Sequence, residues 1–238
     1  PMEVDLGGCR SVGFFFGDQQ IDVTSVTFRT NNNEPSDAVT ATAEGGGRWL
    51  VSADALTEGV LLCTAADGKT YALPVTVSLP YLGFYTDQTR SADTCITNSF
   101  HYDAAAVNTF WFICQNGFTA EDVADTEVTC EYYIRSDCFP VDASDYFTWK
   151  AVARPNNADR YDLKFTVKPG VTLPAKELEL CVNVPFGATF LTLTTNVDKS
   201  DSSALHVTIG GTDYIVGFGF AQDELLTINA DGRWAQPY

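Results

Sequence analysis

The residues best suited to acid–base or nucleophilic chemistry are few in this sequence. There are two histidines, His101 in "NSFHYDAAA" and His206 in "ALHVTIG". Ser99, His101 and Asp103 include the residue types of a hydrolytic triad. They lie on one predicted strand, where neighbouring side chains point to opposite faces, so they cannot converge on one reacting atom. A G-x-S-x-G nucleophile elbow is also missing. We therefore expect structural roles for both histidines and predict no catalytic residues.

The seven cysteines do not form a recognisable metal-binding or redox motif. None belongs to a C-x-x-C pair, and no histidine lies near one at zinc-finger spacing. Cys63, Cys114 and Cys181 lie within apolar runs, which predicts small buried thiols. The odd count and the lack of a signal-peptide pattern favour reduced cysteines, although a pairing of Cys130 with Cys138 stays open. The sequence thus predicts no metal and no cofactor.

Carboxylates are plentiful, and their densest group lies between residues 121 and 131. Two carboxylates on either side of a cleft would allow glycoside hydrolysis on a β-sandwich. The spacing here mixes a helical turn with the start of a strand, so these side chains do not share one face. A solvated surface is the expected role, with a calcium site as the alternative. The group consists of Glu121, Asp122, Asp125, Glu127 and Glu131.

Tryptophans are the candidates for stacking on a sugar ligand. Trp49, Trp149 and Trp234 lie in or next to predicted strands. The segment "YFTW" at 146–149, in a strand predicted over 145–153, alternates with polar neighbours as half-buried strands do, so a core role is the stronger expectation.

Charge and hydropathy exclude two classes of partner. The formal net charge is −17, from 31 acidic and 14 basic residues. Such a chain repels phosphate backbones, and we predict no binding to nucleic acid. No apolar run approaches the roughly 18 residues of a membrane span, and we predict no membrane insertion.

The elements that must position these residues are predicted to be strands. Helical periodicity is nearly absent, with short helical segments expected only at residues 52–59 and 119–127. In the second segment Thr119 precedes Asp122 by three positions, close to a capping box. Asp67-Gly68 supplies a turn between the strands of "GVLLCTAADGKTYALPVTV". Many short strands without intervening helices predict an all-β chain of antiparallel β-sandwiches.

Prolines suggest where the chain divides. "SLPYLG" at 78–83 ends the first set of strands, and "KPGVTLPAKE" at 168–177 interrupts a later set. We predict an immunoglobulin-like β-sandwich over residues 1–79 and a larger jelly-roll-like or sandwich domain over 80–238. A further division near 168–176 is the alternative.

Residues 47–77 carry a resemblance to a known family. Their order is an aromatic strand "GRWLVS", the segment "ADAL", a glycine, an apolar strand, the Asp-Gly turn and a strand ending in "PVTV". This order resembles the small immunoglobulin-like modules of bacteriophage tail, baseplate and head-fibre proteins, over about the first 80 residues. The resemblance implies a rigid presentation module that makes contacts through its edges and loops.

The expected function is therefore a non-enzymatic structural or adhesion protein of a phage or virus particle. It would be assembled in the host cytoplasm and contact other virion proteins, or a glycan or protein on a surface. A cytoplasmic or cell-surface location is the alternative. Two other functions stay open, a bacterial carbohydrate- or protein-binding sandwich module and a β-sandwich glycoside hydrolase.

The segment "NTFWFICQ" at 108–115 is apolar on both faces of a predicted strand. Phe110 and Phe112 would line one face, and Trp111 and Ile113 the other. A strand of this kind needs a cover on both sides. A neighbouring subunit would be one such cover, and the chain's own loops or N-terminal domain would serve equally well. We predict a homo-oligomer, with a trimer favoured, and these four residues at or next to its interface.

Overall fold

A computed structural model describes most of the chain. After residue 195 it describes only the backbone of four short strands. The described residues are 1–102, 106–134, 137–171, 173, 177–195, 205–209, 212–216, 227–228 and 234–235. The predicted all-β class is confirmed, because strands make up almost all of the regular structure. Within these ranges no helix has the length and apolar character needed to span a bilayer.

Nine strands precede residue 80 and form an N-terminal sandwich. Its two sheets have the orders β1-β9-β8-β5 and β2-β7-β6, and β3 and β4 form a separate hairpin. The strands are β1 (Met2–Asp5), β2 (Cys9–Gly13), β3 (Phe15–Phe16), β4 (Gln19–Gln20), β5 (Val23–Thr30), β6 (Val39–Gly45), β7 (Arg48–Ala53), β8 (Thr57–Ala65) and β9 (Thr70–Ser78).

The predicted hairpin over residues 59–77 is confirmed. β8 and β9 pair in antiparallel fashion, and every second residue of β8 from Gly59 to Ala65 is buried. The connecting turn needs Gly68, whose φ is +81°, a conformation that other residues rarely adopt. The Lys69 amide donates to the Asp67 carboxylate at 3.0 Å and closes the turn.

The helix predicted over residues 52–59 is wrong. Ser52 and Ala53 end β7, and Thr57 already pairs with Val77 as the first residue of β8. A segment of eight residues is too short to be helical without tertiary support, so sheet pairing on both sides prevails over it.

Nine further strands and two short helices form a second sandwich. Its sheets have the orders β10-β12-β16-β15 and β11-β18-β17-β13-β14. The elements are β10 (Leu82–Tyr85), β11 (Ser99–Tyr102), β12 (Thr109–Cys114), α1 (Ala120–Ala124), β13 (Glu127–Ile134), β14 (Asp137–Val141), α2 (Ala143–Tyr146), β15 (Phe147–Arg154), β16 (Asn157–Val167), β17 (Glu177–Val184) and β18 (Gly187–Thr195).

Both sandwiches have the strand order of immunoglobulin domains. In the first, β5-β8-β9 take the places of strands C, F and G, and β2-β7-β6 those of B, E and D. In the second, β10-β12-β16-β15 correspond to A, B, E and D, while β18-β17-β13-β14 correspond to G, F, C and the additional strand C′. The immunoglobulin-like fold predicted for the N-terminal residues is therefore present, and residues 82–195 repeat it.

Phenylalanines fill the core of the second sandwich. Phe110 stacks on Phe165 with ring centroids 5.2 Å apart, and Phe112 stacks on Phe118 at 5.4 Å. Buried leucines of the facing sheet, such as Leu180, complete this core. Residues 168–176 connect β16 to β17, which lie in the two facing sheets of this one sandwich.

The segment 86–98, between β10 and β11 of the second sandwich, packs against the N-terminal sandwich. Cys95 packs against the N-terminal core, and the Arg90 guanidinium donates to the Pro80 carbonyl at 2.9 Å. A Cβ at Gly7 would lie only 2.3 Å from the Cβ of Thr97. The two sandwiches therefore touch closely at this junction.

Four short strands follow residue 204. They pair as the hairpins β19-β20 and β21-β22, and their assignment to the predicted domain 80–238 stays a prediction. The strands are β19 (Leu205–Ile209), β20 (Thr212–Val216), β21 (Thr227–Ile228) and β22 (Trp234–Ala235).

Candidate functional site

His101 has a contact that fits a structural role. It lies opposite Thr194 where β11 pairs in parallel with β18, and its Nδ1 is 3.0 Å from the Thr194 hydroxyl. This contact holds the imidazole against the sheet. Asp103 lies outside the described residues, and only the backbone of His206 is described.

Three of the four predicted interface residues are buried by the chain itself. Phe110 and Phe112 are 0% exposed, and Ile113 is 1% exposed. These three side chains have no surface to offer a partner. Trp111 is half-buried on the outer side of β12, with the Lys164 ammonium 5.5 Å from its ring centroid. Of the four, only Trp111 can be reached from outside.

The second cover of this strand comes from the chain itself. Tyr85 lies beside Trp111 in the register of β10 and β12, and it is fully buried. The backbone of Tyr85 forms an antiparallel β-bridge with that of Cys95. Burial raises the pKa of the Tyr85 phenol to about 12. Gln88 of the segment 86–98 donates to Asp162 on the outer side of β16 at 3.0 Å, so this segment covers this end of the sheet, where a neighbouring subunit had been expected as one possibility.

The tryptophans predicted for ligand stacking do not form a shared platform in the described part of the chain. Trp49 is half-buried and packs against the N-terminal core. Trp149 is partly exposed, but its ring stacks on Phe165 at 6.2 Å. The side chain of Trp234 lies outside the described residues.

The outer side of the five-stranded sheet is the most distinctive surface of the described residues, and we call it the acidic face. In β17 the residues that point inward, such as Leu180, are buried, and those between them point outward. The members of the acidic face are Glu127, Thr129, Glu131, Tyr133, Cys138, Glu177, Glu179, Cys181, Phe190 and Thr192.

The charge of the acidic face has one sign. Four glutamates point outward from β13 and β17, and the five strands contain no lysine or arginine. The field above this sheet is therefore negative and attracts cationic groups. Two of the acidic residues predicted to lie on a solvated surface, Glu127 and Glu131, belong to this face. A third, Asp122, forms the capping box of α1 with Thr119.

Two aromatic rings stand exposed among these charges. Phe190 is 59% exposed and Tyr133 is 49% exposed. Phe190 lies opposite Cys181, itself half-buried, which extends the apolar area across two strands. Phe190 and Tyr133 are therefore the large apolar groups that the described part of this face leaves open to solvent.

Hydrogen bonds fix the carboxyl group at the centre of this face. Tyr133 donates its hydroxyl to Glu131, and the Cys138 thiol donates to the same carboxylate at 2.9 Å. These bonds, that from Cys138 first, lower the pKa of Glu131. Glu179 lies directly opposite, and burial together with the charge of Glu131 raises its pKa.

The cysteines are unpaired, and their environments differ. Cys63 and Cys114 are buried as predicted, whereas Cys181 is half-buried on the acidic face because alternate residues of β17 supply the core. Cys130 lies in the core, and Cys138 projects from the opposite side of the β13-β14 hairpin. A disulfide between these two cysteines is therefore excluded by geometry.

The described surface has two shallow grooves. A shallow groove of about 440 Å³ lies between Gln20 and Tyr71, and another of about 380 Å³ lies beside His101. The described residues contain no cluster of three histidine, cysteine or acidic residues arranged around a metal position. Glu131 and Glu179 lie directly opposite each other on neighbouring strands of one sheet, whereas glycosidase carboxylates stand on either side of a substrate.

Comparisons with known proteins give low similarities. No family model and no curated protein sequence matches the chain. Tandem immunoglobulin domains of titin are 12% identical, with 82% of this chain and 91% of that one covered and a TM-score of 0.25. The extracellular portion of mouse CD200RLa is 10% identical, with 82% and 98% covered and a TM-score of 0.25. An endo-fucoidan hydrolase of glycoside hydrolase family 107 is 13% identical, with 88% and 29% covered and a TM-score of 0.26. TM-scores this low carry no argument, so the fold assignment rests on the strand order.

Proposed function

We propose that this chain is a non-enzymatic structural or adhesion protein of a phage or virus particle. It acts by protein–protein contact, and its acidic face binds another protein surface. The partner is a second copy of this chain. The homo-oligomer predicted from the sequence is therefore proposed again, with its interface on the acidic face in place of residues 110–113.

The observation that carries this proposal is the exposure of Phe190 at the middle of β18. Leu191 and Leu193 of the same strand point inward and are buried, so Phe190 does not contribute to the core of its own sandwich. A phenyl ring in this position gains free energy when a partner removes it from water, at about 25 cal/mol per Å² of apolar area. Tyr133 adds a second ring with a polar end, a residue type that is enriched in protein interfaces.

Three features support contact over catalysis. The acidic face is the outer side of a β-sheet, and catalytic sites usually occupy clefts. The Glu131 carboxylate at the centre of this face is engaged by hydrogen bonds from Tyr133 and Cys138. His101 is held by Thr194 at the edge of the same sheet. The virion location rests on the resemblance of residues 47–77 to phage modules.

Light scattering coupled to gel filtration at micromolar concentration tests the proposal. We expect the unmodified chain to have a mass above that of the monomer and Phe190→Ser to have the mass of the monomer. Phe15→Ser is the matched control, because Phe15 in the N-terminal sandwich is 60% exposed, against 59% for Phe190. This control should assemble as the unmodified chain does. A monomeric unmodified chain, or equal loss of mass in both variants, would overturn the proposal.

A further inference from the structure

Two lysines lie directly opposite each other on the far side of the second sandwich. Lys150 on β15 pairs with Lys164 on β16, and both point outward from the four-stranded sheet. Like charges in directly opposed positions destabilise a sheet. Lys164 also approaches the half-buried ring of Trp111 on the next strand. We call Lys150, Lys164 and Trp111 the lysine strip.

The chain does not neutralise this strip within its described residues. The ion pairs there are Lys69 with Asp67 and Arg154 with Asp162. Asp162 is the acidic residue of β16 nearest to the strip in sequence, and Arg154 and Gln88 already occupy its carboxylate. A pair of lysines without an acidic partner, in a chain of net charge −17, is a local reversal of sign.

The acidic face and the lysine strip are complementary and lie on opposite sides of one sandwich. The acidic face offers glutamates and the exposed ring of Phe190, and the strip offers two ammonium groups and the ring of Trp111. Pairing the acidic face with itself would bring like charges together, which opposes a two-fold contact through that face. Pairing it with the lysine strip brings opposite charges and two aromatic rings together.

We propose that the lysine strip binds the acidic face of a second copy of this chain, so that copies join head to tail. This inference rests on the proposed function and names the surface that the acidic face binds. Each copy then uses two different surfaces, and such a contact builds rings if its rotation closes and open fibres if it does not. A trimer would be one closed form.

A mixing experiment with two variants tests the head-to-tail contact. Lys150→Glu combined with Lys164→Glu removes the strip and keeps the acidic face, whereas Phe190→Ser weakens the acidic face and keeps the strip. We expect each variant alone to be monomeric, with at least about a tenfold loss of affinity. Mixed in equal amounts, they should form a complex of two molecules and nothing larger, because each has one working surface. Circular dichroism shows whether the lysine variant folds, and Lys150→Gln with Lys164→Gln replaces it if it does not.

Each of the other outcomes overturns the head-to-tail contact, and one of them also overturns the proposed function. If the lysine variants assemble as the unmodified chain does while Phe190→Ser is monomeric, the head-to-tail contact is wrong and the proposed function stands. If the two variants do not complement each other, the head-to-tail contact is likewise wrong. If the unmodified chain is monomeric but binds heparin through the lysines, the strip serves an anionic glycan, and both the self-contact and its inference fall.

Discussion

Glu131 on β13 and Glu179 on β17 lie directly opposite each other on the acidic face. Hydrogen bonds from Cys138 and Tyr133 lower the pKa of Glu131, whereas burial and the charge of Glu131 raise the pKa of Glu179. Glu179 is therefore the member of the pair that binds a proton first as the pH falls.

Replacing Glu179 with glutamine should stabilise the fold most above the ordinary glutamate pKa. The raised pKa means that the folded chain holds a proton that the unfolded chain has released, so the free energy of unfolding falls as the pH rises through that pKa. We expect Glu179→Gln to raise the Tm at about pH 7.5 and to change it little at about pH 4. Glu177→Gln on the same face is the control. A larger gain at acid pH would contradict the assignment.

Replacing Asp162 with asparagine should destabilise the second sandwich by about 3 kcal/mol, because the Arg154 guanidinium would lose its counter-charge in a largely buried position. The Asp162 side chain is 2% exposed and accepts from Arg154 at 2.7 Å. Urea unfolding followed by tryptophan fluorescence measures this cost. Asp159→Asn, at an exposed position near the start of β16, should cost less than about 0.5 kcal/mol. Equal effects of the two substitutions would show that the buried pair contributes nothing.

Alanine substitutions at two glycines, Gly7 and Gly17, test how tightly the two sandwiches pack. Gly7 has a φ of +75°, and a Cβ there would clash with Thr97, whereas Gly17 has a φ of +61° and nothing within 4 Å of its Cβ position. Gly17→Ala should lower the free energy of unfolding by only about 1–2 kcal/mol, the cost of holding an alanine in the left-handed conformation. Gly7→Ala should cost clearly more in the same thermal unfolding assay, because the junction must also open. Similar costs would mean that the sandwiches do not pack tightly at Gly7.

Thiol reactivity should separate the cysteines into two groups. Burial raises the pKa of Cys63 to about 11 and that of Cys130 to about 12, and the thiolate is the reactive form. We expect both to resist iodoacetamide in the native state and to react once the chain is unfolded without a reductant. Cys9, which is exposed, should react in the native state. Peptide mass spectrometry resolves the sites, and early labelling of Cys63 would show that the N-terminal core opens.

Features that depend on neighbouring residues were predictable from the sequence. The hairpin over 59–77 follows from alternation around Asp67-Gly68, and the capping box of Thr119 and Asp122 forms as expected. The helix α2 was missed because the alternation of "YFTW" suggested a strand from residue 145. Its start was nevertheless marked by Asp142, which accepts from the Ser144 amide at 2.8 Å as an N-cap.

Features that depend on distant parts of the chain were not predictable. Apolar residues on both sides of β12 indicated a need for two covers, but the cover at Tyr85 comes from the segment 86–98. The alternation of "ELELCVNV" predicts that Glu177 and Glu179 share a face, whereas their position opposite Glu131 follows from strand order alone. In "GATFLTLTT", alternation separates Phe190 from Leu191 but does not say which points to the core. The facing sheet decides this.

The most direct test of self-contact through the acidic face uses two thiols of the unmodified chain. Cys138 projects from the acidic face, and Cys9 lies exposed on the N-terminal sandwich. Labelling rates of both thiols are measured in one sample over a series of protein concentrations, with the mass recorded by light scattering. The account predicts that the rate at Cys138 falls relative to Cys9 as the mass rises. A constant ratio of the two rates while the mass increases would contradict it, because assembly would then leave the acidic face uncovered.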